Sequence, residues 1–244
     1  MSSNPFSPSA NEPKVVVNSD QGLLVRGGVD GRESFLLKEG QNVAWPVIDP
    51  SGHLVAAMTN ALDVINVWDL NTGELKYTLK GHTGKAFWAE FSRDGKRIVT
   101  GSMDKTAIVW DAIDGSKLFT LSGHKRFVSV ARFSPDGEWI ATSGFDVEAM
   151  IWDARTGMLF STLRSAGGRF TNVEFNPDRS VSRVLTTAAD NVVRIWDPTG
   201  PVGREVLQIT RDSTLIYAKW SPDGRTILTC WKDGVVQLYK TVPI

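Results

Sequence analysis

A chain of 244 residues with 27 Lys plus Arg against 27 Asp plus Glu has no formal net charge, so no whole-protein field steers nucleic acid or an acidic membrane toward it. Its single cysteine, Cys230, excludes an internal disulfide and points to a reducing compartment. No apolar run approaches the roughly 18 residues that span a bilayer, and the N-terminus lacks the charged-then-apolar pattern of a secretory leader. A soluble cytoplasmic protein is expected, with the nucleus left open.

Residues 1–14, MSSNPFSPSANEPK, are rich in Ser, Pro and Asn with one large apolar residue, Phe6. Such a stretch cannot bury enough surface to offset its ordering entropy, and a flexible tail is expected there. From residue 15 the chain turns apolar and pauses at glycines, with strand-like runs at 22–26 and 34–38.

The pattern is plainest in residues 81–124, which begin and end on Gly-His. Four runs rich in β-branched and aromatic residues, at 86–91, 97–101, 107–111 and 116–121, alternate with the turn sequences Ser-Arg-Asp-Gly, Met-Asp-Lys and Ile-Asp-Gly. This predicts a four-stranded antiparallel meander, which cannot bury both faces and must stack on copies of itself. The copies are centred on 43–80, 86–122, 128–164, 170–209 and 215–240. Trp68-Asp69, Trp110-Asp111, Trp152-Asp153 and Trp196-Asp197 recur at steps of 42, 42 and 44 residues, and Tyr239 falls 43 further on. The turns at 49–52, 92–95, 134–137, 176–179 and 221–224 keep the same period.

Gly-His and Trp-Asp dipeptides in a 40–45-residue repeat resemble the WD-repeat β-propeller family, in which each repeat makes a four-stranded blade. The resemblance implies an all-β fold and a single domain over residues 15–244, a ring of about five blades. It also implies that an N-terminal strand closes the ring. The last repeat supplies strands at 215–220, 226–231 and 235–240 and then only Thr-Val-Pro-Ile. The run at 34–38 is expected to pair there as the missing fourth strand, leaving 22–26 as an extra strand. A bare edge would otherwise invite a strand donated by another chain.

In the resembled family a His, a Ser or Thr, an Asp and the Trp of each repeat form a hydrogen-bonded relay. Two repeats here match it in full, through His82, Thr100, Asp104 and Trp110, and through His124, Thr142, Asp146 and Trp152. The fourth keeps Thr186, Asp190 and Trp196 with Gly167-Gly168 near the histidine position. The fifth keeps Thr229 and Asp233 without histidine, and the first has Met58 and Leu62 at the Thr and Asp positions. A Ser/Thr, His and Asp set also suggests a nucleophilic triad, but a triad occurs once per protein whereas this set is duplicated and decays across the copies. The reading is structural. His53, the third histidine, follows a turn glycine and is expected in solvent.

No spacing of three histidines and one cysteine assembles four zinc ligands, and no phosphate-binding loop, dinucleotide fingerprint or nucleophile elbow is present, so no cofactor, metal or catalytic residue is expected. The resemblance places partner contacts on the top face. The corresponding positions are Asn42, Ala44 and Ala61; Lys85, Phe87 and Met103; Phe127, Ser129 and Phe145; Arg169, Thr171 and Ala189; Thr214, Ile216 and Lys232. Three Phe, a Met, an Ile and three cations share this face with no carboxylate, the composition of a protein-binding patch. The alternative for Phe87, Phe127 and Phe145 is burial between blades. The expected function is a non-enzymatic scaffold that docks a protein or peptide within a larger complex, without membrane contact. A nucleic-acid-associated subunit touching phosphates is the first alternative, and an enzyme with a site in the central channel is the second.

Overall fold

The computed structural model describes residues 15–19, 22–27, 33–37, 44–59 and 64–241. Every element among them is a β-strand, as the β-branched runs and their turns dictate. The expected tail at 1–14 lies outside the described residues. Strands β1 (Val15–Ser19), β2 (Gly22–Gly27) and β3 (Glu33–Leu37) form a three-stranded sheet.

Four four-stranded antiparallel sheets follow, each in sequence order. The first holds β4 (Ala44–Ile48), β5 (Leu54–Met58), β6 (Val64–Asp69) and β7 (Leu75–Lys80). The second holds β8 (Ala86–Phe91), β9 (Arg97–Ser102), β10 (Thr106–Asp111) and β11 (Lys117–Ser122). The third is β12 (Val128–Phe133), β13 (Trp139–Gly144), β14 (Glu148–Asp153) and β15 (Leu159–Arg164). The fourth is β16 (Phe170–Phe175), β17 (Val184–Ala188), β18 (Val193–Asp197) and β19 (Arg204–Ile209). The chain ends on a three-stranded sheet of β20 (Leu215–Trp220), β21 (Thr226–Trp231) and β22 (Val236–Lys240).

The turn between the first two strands of a sheet shows how local chemistry sets register. Ser134 Oγ donates to Asp136 Oδ1 at 2.5 Å, and Gly137 N donates to Ser134 O at 2.9 Å, with Gly137 at φ +78°. The same bonds recur at Ser92, Asp94 and Gly95 and at Ser221, Asp223 and Gly224. Only glycine takes the left-handed conformation without steric cost, so the Asp-Gly pair pins the hairpin.

Each four-stranded sheet buries both faces by stacking on its neighbours. Trp110, Ile98 and Phe91 pack on Ala56, Val67 and Ile65 of the preceding sheet. On the opposite face of the same sheet, Val99, Ala107 and Val109 meet Ile140 and Trp152 of the next. Leu23 and Val25 of β2 pack on Val55, Trp68 and Leu70, so the N-terminal sheet sits against the first four-stranded one as a further blade-like layer. The architecture is a WD-repeat β-propeller of about five blades preceded by that layer.

The expected ring closure is corrected here. The run at 34–38 does not lie beside β22; as β3 it pairs with β2, Leu23 opposite Leu37 and Val25 opposite Phe35. Residues 22–27 are the middle of a meander, and short-range pairing along the chain, which closes small loops, prevails over pairing with a strand two hundred residues away. Among the described residues β22 is paired on one side only, with β21. The outer face of this last sheet is open, with Val236 60% and Leu238 69% exposed, where the equivalent Ala107 and Val109 are buried.

Candidate binding face

The first strand of each repeat carries one extra residue near its start. The register of β8 against β9 shifts between Ala86 and Trp88, that of β12 between Val128 and Val130, that of β16 between Phe170 and Asn172, and that of β20 between Leu215 and Tyr217. The bulged residues are therefore Phe87, Ser129, Thr171 and Ile216, four of the positions singled out for the top face. A bulge leaves its residue outside the ladder and re-aims the side chain, which lets Phe87 leave the inter-blade core.

A backbone bond ties each first strand to the loop before the turn Asp. Met103 N donates to Lys85 O at 2.8 Å, Phe145 N to Phe127 O at 3.0 Å, Ala189 N to Arg169 O at 2.9 Å and Lys232 N to Thr214 O at 2.9 Å. The predicted pairs are thus adjacent in space in four repeats. Close approach has a steric condition: a Cβ on Gly144 would stand 1.8 Å from Phe127 O, so only glycine fits there.

Across the second to fourth repeats these side chains form one row. The rings of Phe87 and Phe127 have centroids 6.5 Å apart, and those of Phe127 and Phe145 are 5.8 Å apart. Lys85 Nζ lies 5.9 Å from the Phe87 centroid at one end, and the Arg169 guanidinium lies 4.7 Å from that of Phe145 at the other. Such spacings are attractive for both ring pairs and cation–ring pairs. Phe87, Phe127 and Met103 are half-buried and Phe145 is exposed. Ile216 and Lys232 are exposed on the last sheet, outside the chain of ring contacts, and Asn42 and Ala61 lie outside the described residues.

Beneath the row, His82 Nδ1 lies 2.8 Å from Asp104 Oδ2 and Nε2 lies 2.7 Å from Thr100 Oγ1, while Trp110 Nε1 donates to Thr100 Oγ1 at 2.9 Å. The second set repeats this, with His124 2.9 Å from Asp146 and 2.7 Å from Thr142, and Trp152 donating to Thr142 at 2.8 Å. A neutral imidazole with Nδ1–H donating to the carboxylate and Nε2 accepting from the threonine hydroxyl gives both ring nitrogens and the indole N–H a partner. Burial holds the His82 pKa below its ordinary value, against the pull of Asp104, in keeping with a neutral imidazole. Burial opposes the Asp104 charge, but hydrogen bonds from Thr106, Thr83 N and His82 keep its pKa below the usual range.

The remaining repeats solve the same problem with other residues. In the fourth, Trp196 Nε1 donates to Thr186 at 2.7 Å, and Asp190 receives Arg194 at 2.5 and 3.2 Å in place of histidine. Gly167 lies against that carboxylate, where a Cβ would be 1.5 Å from Asp190 Oδ2. In the fifth, Arg211 bonds Asp233, and Trp231 Nε1 donates to Thr229 at 2.9 Å, replacing the indole that Tyr239 lacks. In the first, Ala57 and not Met58 stands opposite Asn66, the register place of Thr100 opposite Ile108, so the sequence count is corrected by one residue. Trp68 Nε1 consequently has no hydrogen-bond partner among the described residues.

The sequence motifs single out no titratable cluster, and the structure has one at equivalent places in three sheets. Glu90, Arg132 and Glu174, equivalent positions of β8, β12 and β16, line a recess of about 280 Å³. Glu90 Oε2 is 3.9 Å from Arg132 and its Oε1 accepts from Phe133 N at 3.1 Å, while the Arg132 guanidinium lies 4.7 Å from the Trp88 ring. Burial raises the Glu90 pKa to about 7, with Arg132 and Phe133 N opposing and Glu174 adding to the rise. Alternation of charge along sequential blades was the available signal. The ladder alternates acid, base and acid and packs on the Trp88 ring; Ser134, which also lines the recess, donates its hydroxyl to Asp136, and no metal-binding group of three acidic, His or Cys side chains is found among the described residues. No described helix is long and apolar enough to cross a membrane.

Comparison with known proteins bears on the repeat. Residues 73–111, 115–153 and 158–197 match the family described as WD domain, G-beta repeat. Each matched window starts before the last strand of one sheet and ends at the third strand of the next, so sequence repeat and sheet are offset by one strand. The chain is 35% identical over 74 residues to the Periodic tryptophan protein 2 homolog of Neurospora crassa, covering 30% of this chain and 8% of that protein. The homolog of the same name from Schizosaccharomyces pombe is 39% identical over 59 residues, 24% of this chain and 7% of the relative. Coronin-7 of Pongo abelii is 35% identical over 72 residues, 30% of this chain and 8% of the relative. The matches thus span under a tenth of each relative's length.

Proposed function

We propose, from the premise that the chain belongs to the WD-repeat family, that it is a non-enzymatic scaffold docking a protein or peptide on its top face within a larger assembly. The observation that carries this reading is the row Lys85, Phe87, Phe127, Phe145 and Arg169, which joins three repeats and leaves Phe145 exposed. Interfaces concentrate their energy in a few aromatic and Arg residues, and clusters held by their own contacts lose little freedom on binding. Met103 adds an adaptable apolar surface beside them, and Ile216 and Lys232 extend the face toward the last sheet. The paired His82 and His124 sets belong to the support of this face and not to chemistry. The reading includes a reducing cellular interior, no cofactor and no membrane contact.

The test is quantitative capture of partners by the purified protein and by a Phe87→Ala/Phe145→Ala variant of unchanged melting temperature. Loss of capture is expected. Unchanged capture moves the interface to the sides or the opposite end of the strands.

A further inference from the structure

Resting on this docking reading, we infer that the segment received on the row is acidic, with an apolar anchor seated on Phe145. Formal charge over the whole chain is zero, but the loops beside the row hold more cations than carboxylates. The loops above the second, third and fourth repeats carry Lys85, Lys105, Lys125, Arg126 and Arg169, all exposed. The carboxylates of the same loops are occupied: Asp104 by His82, Asp146 by His124 and Asp190 by Arg194. At the other end of the strands, Asp94, Asp136, Asp178 and Asp223 occupy successive turns with Arg93, Lys96, Arg179 and Arg225 beside them.

A face whose carboxylates are paired with its own donors and whose cations are exposed complements a run of Asp and Glu. A single-stranded nucleic acid would match the charge but draws much of its affinity from bases stacked on open ring faces. One face of each outer ring is already taken, Phe87 by Lys85 at 5.9 Å and Phe145 by Arg169 at 4.7 Å. The exposed part of Phe145 is left for an aliphatic or aromatic side chain, and a carboxylate beside it pairs with the same two cations.

The experiment measures fluorescence anisotropy with three labelled peptides that share one central Leu-Phe anchor and differ only in flanks of Glu, Ser or Lys. The Glu peptide is expected to bind at least about tenfold tighter than the Ser peptide, with the preference shrinking as salt rises. Lys85→Glu/Arg169→Glu should remove the preference, and Phe87→Ala/Phe145→Ala should weaken all binding. Equal affinity for the three peptides, lost in the alanine variant, overturns the acidic partner and leaves the docking reading standing. A Glu preference unchanged in the alanine variant sinks the docking reading and, with it, the anchor. A single-stranded RNA that outcompetes the Glu peptide, or no binding by any of the three, also overturns the inference.

Discussion

Arg211 and Asp233 are separated by 22 residues and their side chains meet at 2.9 Å, the separation that His82 and Asp104 keep at 2.8 Å. An arginine has taken the histidine position of the relay in the last repeat. What the turn carboxylate requires is a donor from the preceding loop, and imidazole and guanidinium both supply one.

The full relays should therefore matter to stability. Asp104→Ala leaves the buried His82 Nδ1–H without its acceptor and should cost about 1–3 kcal/mol in chemical denaturation. An unchanged denaturation midpoint with lost partner binding would contradict the structural role.

Arg211→Ala should cost less than Asp104→Ala, because the Arg211 and Asp233 side chains are 33% and 37% exposed and solvent screens such a pair. The comparison is made by the same denaturation assay. An equal or larger loss at Arg211 would show that the last relay is buried in solution.

Glu90 gives a pH signature. Its folded pKa of about 7 lies above the unfolded value of 4.5, so the fold favours the protonated form. The associated stability is complete below pH 4.5 and is lost as pH rises through 7. His82, whose folded pKa is lowered, acts in the opposite sense and loses its contribution as pH falls. The signal is therefore the difference between wild type and Glu90→Gln, read as melting temperature from pH 5 to 8. Wild type should lose stability relative to the variant across that window, and parallel curves would contradict the raised pKa.

Leu238 and Val109 occupy the same place in their sheets, one 69% exposed and one 0%. Leu238→Lys should change stability by no more than about 0.5 kcal/mol, whereas Val109→Lys should prevent folding. A large loss at Leu238 would show that the last sheet is covered in solution.

The sequence made some features readable and hid others for physical reasons. Strand bounds and repeat period followed from Trp-Asp spacing and Ser-x-Asp-Gly turns, because both are local. The partner of residues 34–38 did not, since Ser-Phe-Leu-Leu-Lys has the alternation to join either β2 or β22, and alternation encodes a face without naming an edge. Trp231 and Arg194 were missed for a different reason: a search for residue names overlooks substitutes that deliver the same hydrogen bond from another backbone position. The bulges at Phe87 and Ile216 leave no mark in composition, because an extra residue is visible only against its partner strand.

The most direct test of the docking face places a photo-crosslinking amino acid at Phe145 or Met103 on the row and, as a control, at Ile113, which is 70% exposed in a turn at the other end of the strands. With partner-containing extract, the account predicts discrete adducts from positions 145 and 103, suppressed by Phe87→Ala, and none from position 113. Adducts confined to position 113, or equal at all three, would contradict it.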